Sequence, residues 1–395
     1  MIKWLYTGII CPAITYAAMV WGRATSTALF KLKAQKLQRL ALLKVSPVRH
    51  NSPTEALQVV SFVPPLELLI ESVGVATYRR IKHLLDSSQT LPGMWKGESH
   101  IKWAQFIEQE YGLLDIPSDV IPVEISWQKA WEIDLEGFDP IMDSDINTTY
   151  IYTDGSKFEG RAGSGVVITQ ADSQGRHVPV VTLFEGLGTS ASVFQAELNA
   201  IIIGIIEVIR MGEPIGDNLE KFGHIFGNPI CIVSDSKASI QAIDSHIVKS
   251  EMVSRCKKLL LKLSDWSPIS IKWIKAHAGH AGNELADAKA KAGARLEIYG
   301  PEPIIPASKS WFKSKIAQEM CDKWTWKWLG SSNCRQTKIF FKSPCRIKSK
   351  QLLLSGREKF GRAFRWLSGH NFLRPHNNLV DRENYPYSMY RLCNL

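Results

Sequence analysis

Four acidic residues in the middle of the chain stand at the predicted ends of strands and in the first turns of helices: Asp154, Glu197, Asp235 and Asp287. Carboxylates at the ends of neighbouring strands converge, because adjacent strands lie about 5 Å apart and sites form at strand carboxyl ends. Crowded carboxylates repel one another unless cations lie among them, and oxygen ligands of this kind suit Mg²⁺ or Mn²⁺. The pattern therefore predicts a divalent metal site. Two such ions about 4 Å apart can activate water and stabilise the leaving oxygen of a phosphodiester.

Each acid also has a simpler explanation when it is taken alone. An aspartate that follows a strand is more often a turn residue than a metal ligand, so Asp154 or Asp235 by itself is weak evidence. The prediction of a metal site depends on all four acids occurring at matching element ends.

The residues around these acids predict a mixed α/β sheet. Five runs with β-type composition are predicted as strands: Thr149–Thr153, Ala162–Thr169, His177–Phe184, Pro229–Ser234 and Ile269–Ile274. Helices are predicted at Val193–Met211, Ser236–Ser245, Ser250–Leu263 and from Asn283 onward. Three strands, a helix and then strand–helix alternation indicate a sheet with helices packed on it.

The loop before the last of these helices carries a specific motif. His277 lies in a glycine-bearing loop after a strand, Gly282-Asn283-Glu284 follows, and Asp287 comes three positions later. This string resembles the signature of the ribonuclease H family, and the resemblance covers Thr149–Arg295.

The resemblance implies a fold, an activity and a set of metal ligands. It implies an α/β fold with a ribonuclease H-like five-stranded mixed sheet, in which three antiparallel strands are followed by two parallel ones. The activity would be cleavage of the RNA strand of an RNA–DNA hybrid, leaving a 3′-hydroxyl and a 5′-phosphate. Two Mg²⁺ ions, for which Mn²⁺ could substitute, would be held by four acids: Asp154, Glu197, Asp235 and Asp287.

The resemblance also assigns roles outside the metal ligands. His277, on its loop, would assist proton transfer or product release. Ser156, Gln195 and Ser236 would lie near the minor groove of the hybrid, where 2′-hydroxyls distinguish RNA from DNA. The stretch Gly212–Asn228 is longer than in compact members of the family and would add a loop.

The flanks resemble parts of non-LTR retrotransposon proteins. Ser52–Leu57 and Pro64–Leu68 are similar to the thumb-like helical end of their reverse transcriptases, and Arg365–His370 is similar to their C-terminal region. We therefore expect four regions: a helical remnant over 1–85, an acidic, proline-containing linker over 86–148, the ribonuclease H domain over 149–295 and a basic, Trp-rich helical tail over 296–395. The tail is expected to stop before a complete zinc knuckle, because Tyr390 stands where the cysteine partner of Cys393 would be.

The charge distribution and the cysteines limit which partners and which cellular compartment are expected. The chain has a net charge of +10, and its last hundred residues carry 18 basic against 7 acidic residues. A basic tail predicts affinity for nucleic acid, although a solvated basic face would have the same composition. The seven cysteines are scattered without a C-x-x-C pair, so we expect a reducing compartment, nucleus or cytoplasm, and not secretion.

The apolar run Leu5–Trp21 is expected to be a buried core helix rather than a membrane segment.

Three functional hypotheses follow. The first is an active hybrid-specific endoribonuclease of retrotransposon origin, and the second is a catalytically silent remnant that only binds nucleic acid. The third is a different nuclease on the same fold, such as an integrase-like or exonuclease enzyme. His277 and Asn283-Glu284 argue against the third.

Overall fold

The computed structural model describes residues 2–46, 48, 50–87, 99–140, 142–212, 227–297, 302 and 304–368. The chain divides into two compact units. Met1–Leu114 and Ser314–Leu395 form the first, called the helical unit, and Asp115–Lys313 form the second, called the α/β unit.

The strands all belong to the α/β unit. They are β1 (Val120–Ile125), β2 (Trp131–Asp134), β3 (Thr149–Phe158), β4 (Arg161–Ala171), β5 (His177–Gly188), β6 (Ile230–Ser234), β7 (Ile247–Ser250) and β8 (Ile269–Trp273). Helices α1 to α7 are Ile2–Leu5, Cys11–Thr15, Ala18–Trp21, Ala28–Val45, Thr54–Ser61, Leu66–Ser87 and Ser99–Glu110. Helices α8 to α11 are Val193–Gly212, Lys237–Asp244, Glu251–Ser264 and Ala281–Arg295, and α12 to α15 are Lys309–Gly330, Arg335–Phe340, Arg346–Leu354 and Arg357–Ser368.

The main sheet has six strands in the order β2-β8-β6-β3-β4-β5. β3, β4 and β5 are antiparallel neighbours, whereas β3, β6 and β8 run parallel to one another. The predicted mixed sheet of antiparallel and parallel strands is therefore confirmed. The sheet has one strand more than the five that the sequence predicted, because β2 adds to the edge of β8 in parallel.

The predicted linker 86–148 contains regular structure, so this part of the domain prediction was wrong. It includes α7 and β2, and it includes β1, which pairs with β7 in a separate two-stranded sheet. In β2 and the residue after it, Trp131, Ile133 and Leu135 alternate with acidic residues, and the Trp131 side chain is buried in the core. This period of two is a strand signal, and the high acidic content of the segment concealed it.

The two faces of the sheet are covered by different helices. Ile151 on β3 packs in the core that α8 and α10 contribute to, whereas Tyr150 and Tyr152 pack with Ala286 of α11. Because successive side chains of a strand point to opposite faces, β3 presents Asp154 to the side of α11. It presents Gly155 to the side of α8.

The helical unit has a core of its own. Leu57 of α5 packs with Trp324 and Trp328 of α12 and with Phe364 of α15. Residues 1–85 and the tail were predicted as separate regions, but apolar side chains from both share this core. Only part of the predicted Trp cluster is buried, since Trp326 is 76% exposed.

The apolar run Leu5–Trp21 does not form the single buried core helix that was expected. It is divided into short helices with a π-helical turn at Tyr6–Ile10, and Ile9 is 52% exposed while Tyr6 and Ala18 are buried. Among the described residues no single helix has the length and apolar character to cross a membrane, although two sharply bent helix pairs do when each pair is taken together.

Two further predictions fall outside the described residues. Most of the longer loop within Gly212–Asn228 is not described, and neither are the residues around Cys393 and Tyr390.

Candidate active site

The parallel strands bring two of the acids side by side. In the register of β3 with β6, Thr153 lies opposite Ser234, and Ser234 in turn lies opposite Trp273 on β8. Asp235 is the first residue after β6, whereas Asp154 continues β3, where it pairs with Gly165 of β4. The two acids therefore lie side by side where the pairing of β3 with β6 ends, although Asp154 lies within its strand and not at the end that the sequence predicted.

Glu197 reaches this edge because α8 begins very close to β3. A Cβ atom on Gly155 would stand 2.3 Å from the backbone nitrogen of Glu197, so only glycine permits this approach. Carboxylate oxygens of Asp154, Glu197 and Asp235 all lie within 4.8 Å of one another. These three residues, here called the acidic triad, could hold a metal ion.

Asp287 lies beside the triad but is not one of its members. Its helix, α11, packs against β4 at Gly165, where a Cβ would stand 2.2 Å from the carbonyl oxygen of Ala286. The negative charge of Asp287 raises the pKa of both Asp154 and Asp235. The Asp287 carboxylate accepts a hydrogen bond of 2.6 Å from Lys291 on the same helix.

The triad carries more negative charge than its surroundings can stabilise. Burial and the charges of Asp235 and Asp287 raise the pKa of Asp154 to about 7. Burial, together with the charges of Asp154 and Asp235, raises the pKa of Glu197 to about 9. Oε2 of Glu197 is buried and has no hydrogen-bond partner among the described residues. A buried carboxylate oxygen without a donor, on a residue that lies beside two other acids, fits a divalent cation with oxygen ligands.

Two residues that sequence reasoning did not select hold Asp235 in place. The Asn283 side chain hydrogen-bonds to the Asp235 carboxylate, and Asn283 is only 4% exposed. Trp273 Nε1 donates to the backbone oxygen of Asp235 at 3.0 Å. Asn283 lies inside the Gly-Asn-Glu string, so its signal was present in the motif. The contact of Trp273 could not be derived, because it joins the end of β8 to the residue after β6, 38 positions earlier in the sequence.

His277 lies on the loop between β8 and α11. It is exposed and adopts a positive φ of 53°, a left-handed conformation that is uncommon for residues other than glycine. The charge of His277 lowers the pKa of Asp235. Burial acts in the opposite direction and has the larger effect, so this pKa lies above its usual value. The structure therefore brings His277 to the same edge of the sheet as the acids.

Two of the three predicted substrate contacts lie near the acids. Ser156 is half-buried on β3, two residues beyond Asp154 and therefore on the same face of the strand. Ser236 follows Asp235 and caps α9, since its hydroxyl accepts from the backbone nitrogen of Ser239.

The structure contradicts the prediction for Gln195. Its side chain is 1% exposed; Nε2 donates to Pro306 O at 2.7 Å, and Oε1 accepts from the backbone and hydroxyl of Ser192. The family resemblance had implied that Gln195, two residues before Glu197, lies near the minor groove of the hybrid. Two residues on an α-helix are about 200° apart around the axis, however, so the two side chains point in nearly opposite directions.

One family model and several solved structures match part of this chain. Residues 147–295 match the family model described as RNase H. RNase H1 from Halobacterium salinarum NRC-1 is 20% identical, with a TM-score of 0.28 over 37% of this chain and 96% of that one. The N-terminal RNase H domain of a Mycobacterium tuberculosis protein is 19% identical, with a TM-score of 0.28 over 37% and 98%.

A viral polyprotein is also similar in structure. The protease–reverse transcriptase of prototype foamy virus is 20% identical, with a TM-score of 0.30 over 38% of this chain and 21% of that one. No curated protein matches the chain. The family match covers the segment that holds all four acids, His277 and the Gly-Asn-Glu string, and residues 147–295 are therefore similar to the RNase H family.

Proposed function

We propose that this domain hydrolyses the RNA strand of RNA–DNA hybrids with two divalent metal ions, Mg²⁺ or Mn²⁺. The observation that carries the proposal is the acidic triad, whose carboxylate oxygens lie within 4.8 Å of one another. One oxygen of the Glu197 carboxylate, Oε2, is buried and has no hydrogen-bond partner among the described residues. The family match to RNase H supports the choice of substrate.

The four acids would hold the ions, with the triad Asp154, Glu197 and Asp235 on one side and Asp287 beside it. When bound, such ions supply activation of water and stabilisation of charge on the leaving oxygen. Asn283 and Trp273 fix the position of Asp235 through its carboxylate and its backbone. Residues that orient metal ligands in this way commonly tune the affinity of a site.

His277 is suited to hold or move a proton. An imidazole changes charge near neutral pH, and this one stands on an exposed loop within electrostatic reach of Asp235. We propose that the His277 ring nitrogen exchanges a proton with the reacting phosphodiester or assists release of the cut strand.

The hybrid would be bound next to the acids. Ser156 and Ser236, which are half-buried beside Asp154 and Asp235, are proposed to contact 2′-hydroxyls of the RNA strand. A net charge of +10 favours binding to a polyanion.

We also infer a retroelement origin from the flanking motifs at Ser52–Leu57 and Pro64–Leu68. Multiple genomic copies beside reverse transcriptase reading frames would support this origin. A single copy with no such neighbour would count against it.

The test of the proposed function uses the full chain, an end-labelled RNA–DNA hybrid and Mg²⁺, with Asp154→Asn as the matched variant. Wild-type protein is expected to cut only the RNA strand, and the variant is expected not to cut. Single-stranded RNA and duplex DNA serve as controls, and trimming of DNA ends would indicate a different nuclease. If folded wild-type protein binds the hybrid without cutting it, the nuclease proposal fails and a silent nucleic-acid-binding protein takes its place.

A further inference from the structure

The fourth acid of the site already has a cation from its own helix. Lys291 follows Asp287 by one turn of α11, and its Nζ lies 2.6 Å from Oδ2 of Asp287. Residues four apart on a helix are neighbours on the same face. The side chains of Asp287 and Lys291 are 21% and 48% exposed, so the pair lies at the rim of the site and not in its buried centre.

The acidic triad is different in this respect. Within the described ranges, lysine and arginine form ion pairs with Asp287 but with no member of the triad. The charge of Lys291 nevertheless reaches the triad, because it lowers the pKa of Asp154. Two environments therefore stand side by side. In the described part of the chain no lysine or arginine forms an ion pair with the triad, whereas Asp287 is paired with Lys291.

We propose that Lys291 is a built-in counter-cation that weakens metal binding on the Asp287 side of the site, so that the triad binds a divalent ion first. This inference rests on the proposed two-metal function. An ion ligated by Asp287 must either displace the Lys291 ammonium or remain within a few ångströms of a like charge. Both alternatives reduce affinity, and at a partly exposed position the reduction amounts to about tenfold.

The arrangement gives the substrate a role in loading the second ion. A phosphate of the hybrid brings negative charge to the Asp287 side and offsets the ammonium there. The second ion is therefore held weakly in the free protein and more strongly once nucleic acid is bound, while binding at the triad does not need the substrate.

The test is calorimetric titration of Mn²⁺ into the full chain without nucleic acid. Lys291→Met removes the charge and keeps an unbranched side chain, and Lys291→Arg keeps the charge. The matched control is Lys289→Met, which removes the same charge from the same helix. The Lys289 ammonium lies 5.8 Å from the centre of the Phe184 ring. Thermal unfolding in EDTA verifies that each variant is folded.

We expect the weaker Mn²⁺ site to tighten by about tenfold in Lys291→Met, with a smaller change at the stronger site, because Lys291 pairs with Asp287 and reaches Asp154 only through its charge. Lys291→Arg and Lys289→Met are expected to resemble wild type. Adding Asp287→Asn to Lys291→Met should abolish the gain, which assigns the tightened site to Asp287.

The proposal is overturned if Lys291→Met leaves both Mn²⁺ sites unchanged, or if Lys289→Met tightens the weaker site equally. In either case the proposed nuclease function stands, because Mn²⁺ still binds. If neither wild type nor Lys291→Met binds Mn²⁺, the two-metal function itself fails, and the role of Lys291 fails with it.

Discussion

Gly155 and Glu197 are in contact through their backbones, and a Cβ atom added to Gly155 would stand 2.3 Å from the amide nitrogen of Glu197. This contact sets the distance between β3, which carries Asp154, and α8, which carries Glu197. The geometry of the acidic triad therefore depends on the absence of a side chain at a residue that ligates nothing.

Gly155→Ala is expected to destabilise the protein and to separate the triad. The methyl group meets backbone rather than a flexible side chain, so α8 must shift, at a cost of about 1–3 kcal/mol. We expect a lower urea midpoint together with weaker Mn²⁺ binding in calorimetry. Gly330→Ala, where an added Cβ meets nothing within 4 Å, is the control for the substitution itself. Unchanged stability and Mn²⁺ affinity in Gly155→Ala would show that the contact does not set the site.

The stability of the metal-free protein is expected to fall as pH rises. Folding raises the pKa of Asp154 from 3.8 to about 7 and that of Glu197 from 4.5 to about 9. The folded state therefore binds protons more tightly than the unfolded chain, and its stability decreases with pH through this interval. Thermal unfolding in EDTA between pH 5 and pH 9 should show this decrease, and Mg²⁺ should reduce it.

Asp154→Asn provides the control for that pH dependence. It removes one of the repelling charges, so the metal-free variant should be more stable than wild type above pH 7, although it lacks nuclease activity. An equal loss of stability with pH in both proteins would assign the effect to groups other than Asp154.

Asn283→Ala is expected to weaken metal binding without unfolding the domain. The variant leaves the Asp235 carboxylate without its amide donor, and loss of such orienting partners typically costs about ten- to a hundredfold in metal affinity. Mn²⁺ calorimetry measures the change, and Glu284→Gln at the exposed neighbouring position is the control. Wild-type affinity in Asn283→Ala would mean that Asp235 is positioned by other contacts, such as that of Trp273.

Gln195→Ala is expected to lower stability and to leave substrate binding intact. The substitution leaves the Pro306 carbonyl and the Ser192 donors without their partner, at a cost of about 1–3 kcal/mol in the free energy of unfolding. Urea denaturation measures the change in stability, and titration with hybrid measures the Kd for the substrate, so the two effects can be distinguished. A higher Kd for the hybrid with unchanged stability would instead support the substrate contact that the sequence suggested.

The local features of this protein could be predicted because they depend on neighbouring residues. The alternation of apolar residues identified the five predicted strands of the main sheet, and the acids at element ends indicated where a metal site would form. The string from His277 to Asp287 indicated the family. Where a local pattern was weak, as in β2 among its acidic residues, a strand was missed.

The sequence by itself determined the type of fold and the four acids, since both are encoded in short-range periodicity and in residue type. Only the tertiary structure decided which three of the acids share one cluster. It also decided that Gln195 points into the core and that helices from both ends of the chain share one hydrophobic core. These outcomes depend on contacts between segments far apart in sequence, where the shape and packing of distant surfaces, and not the pattern of adjacent residues, determine which side chains meet.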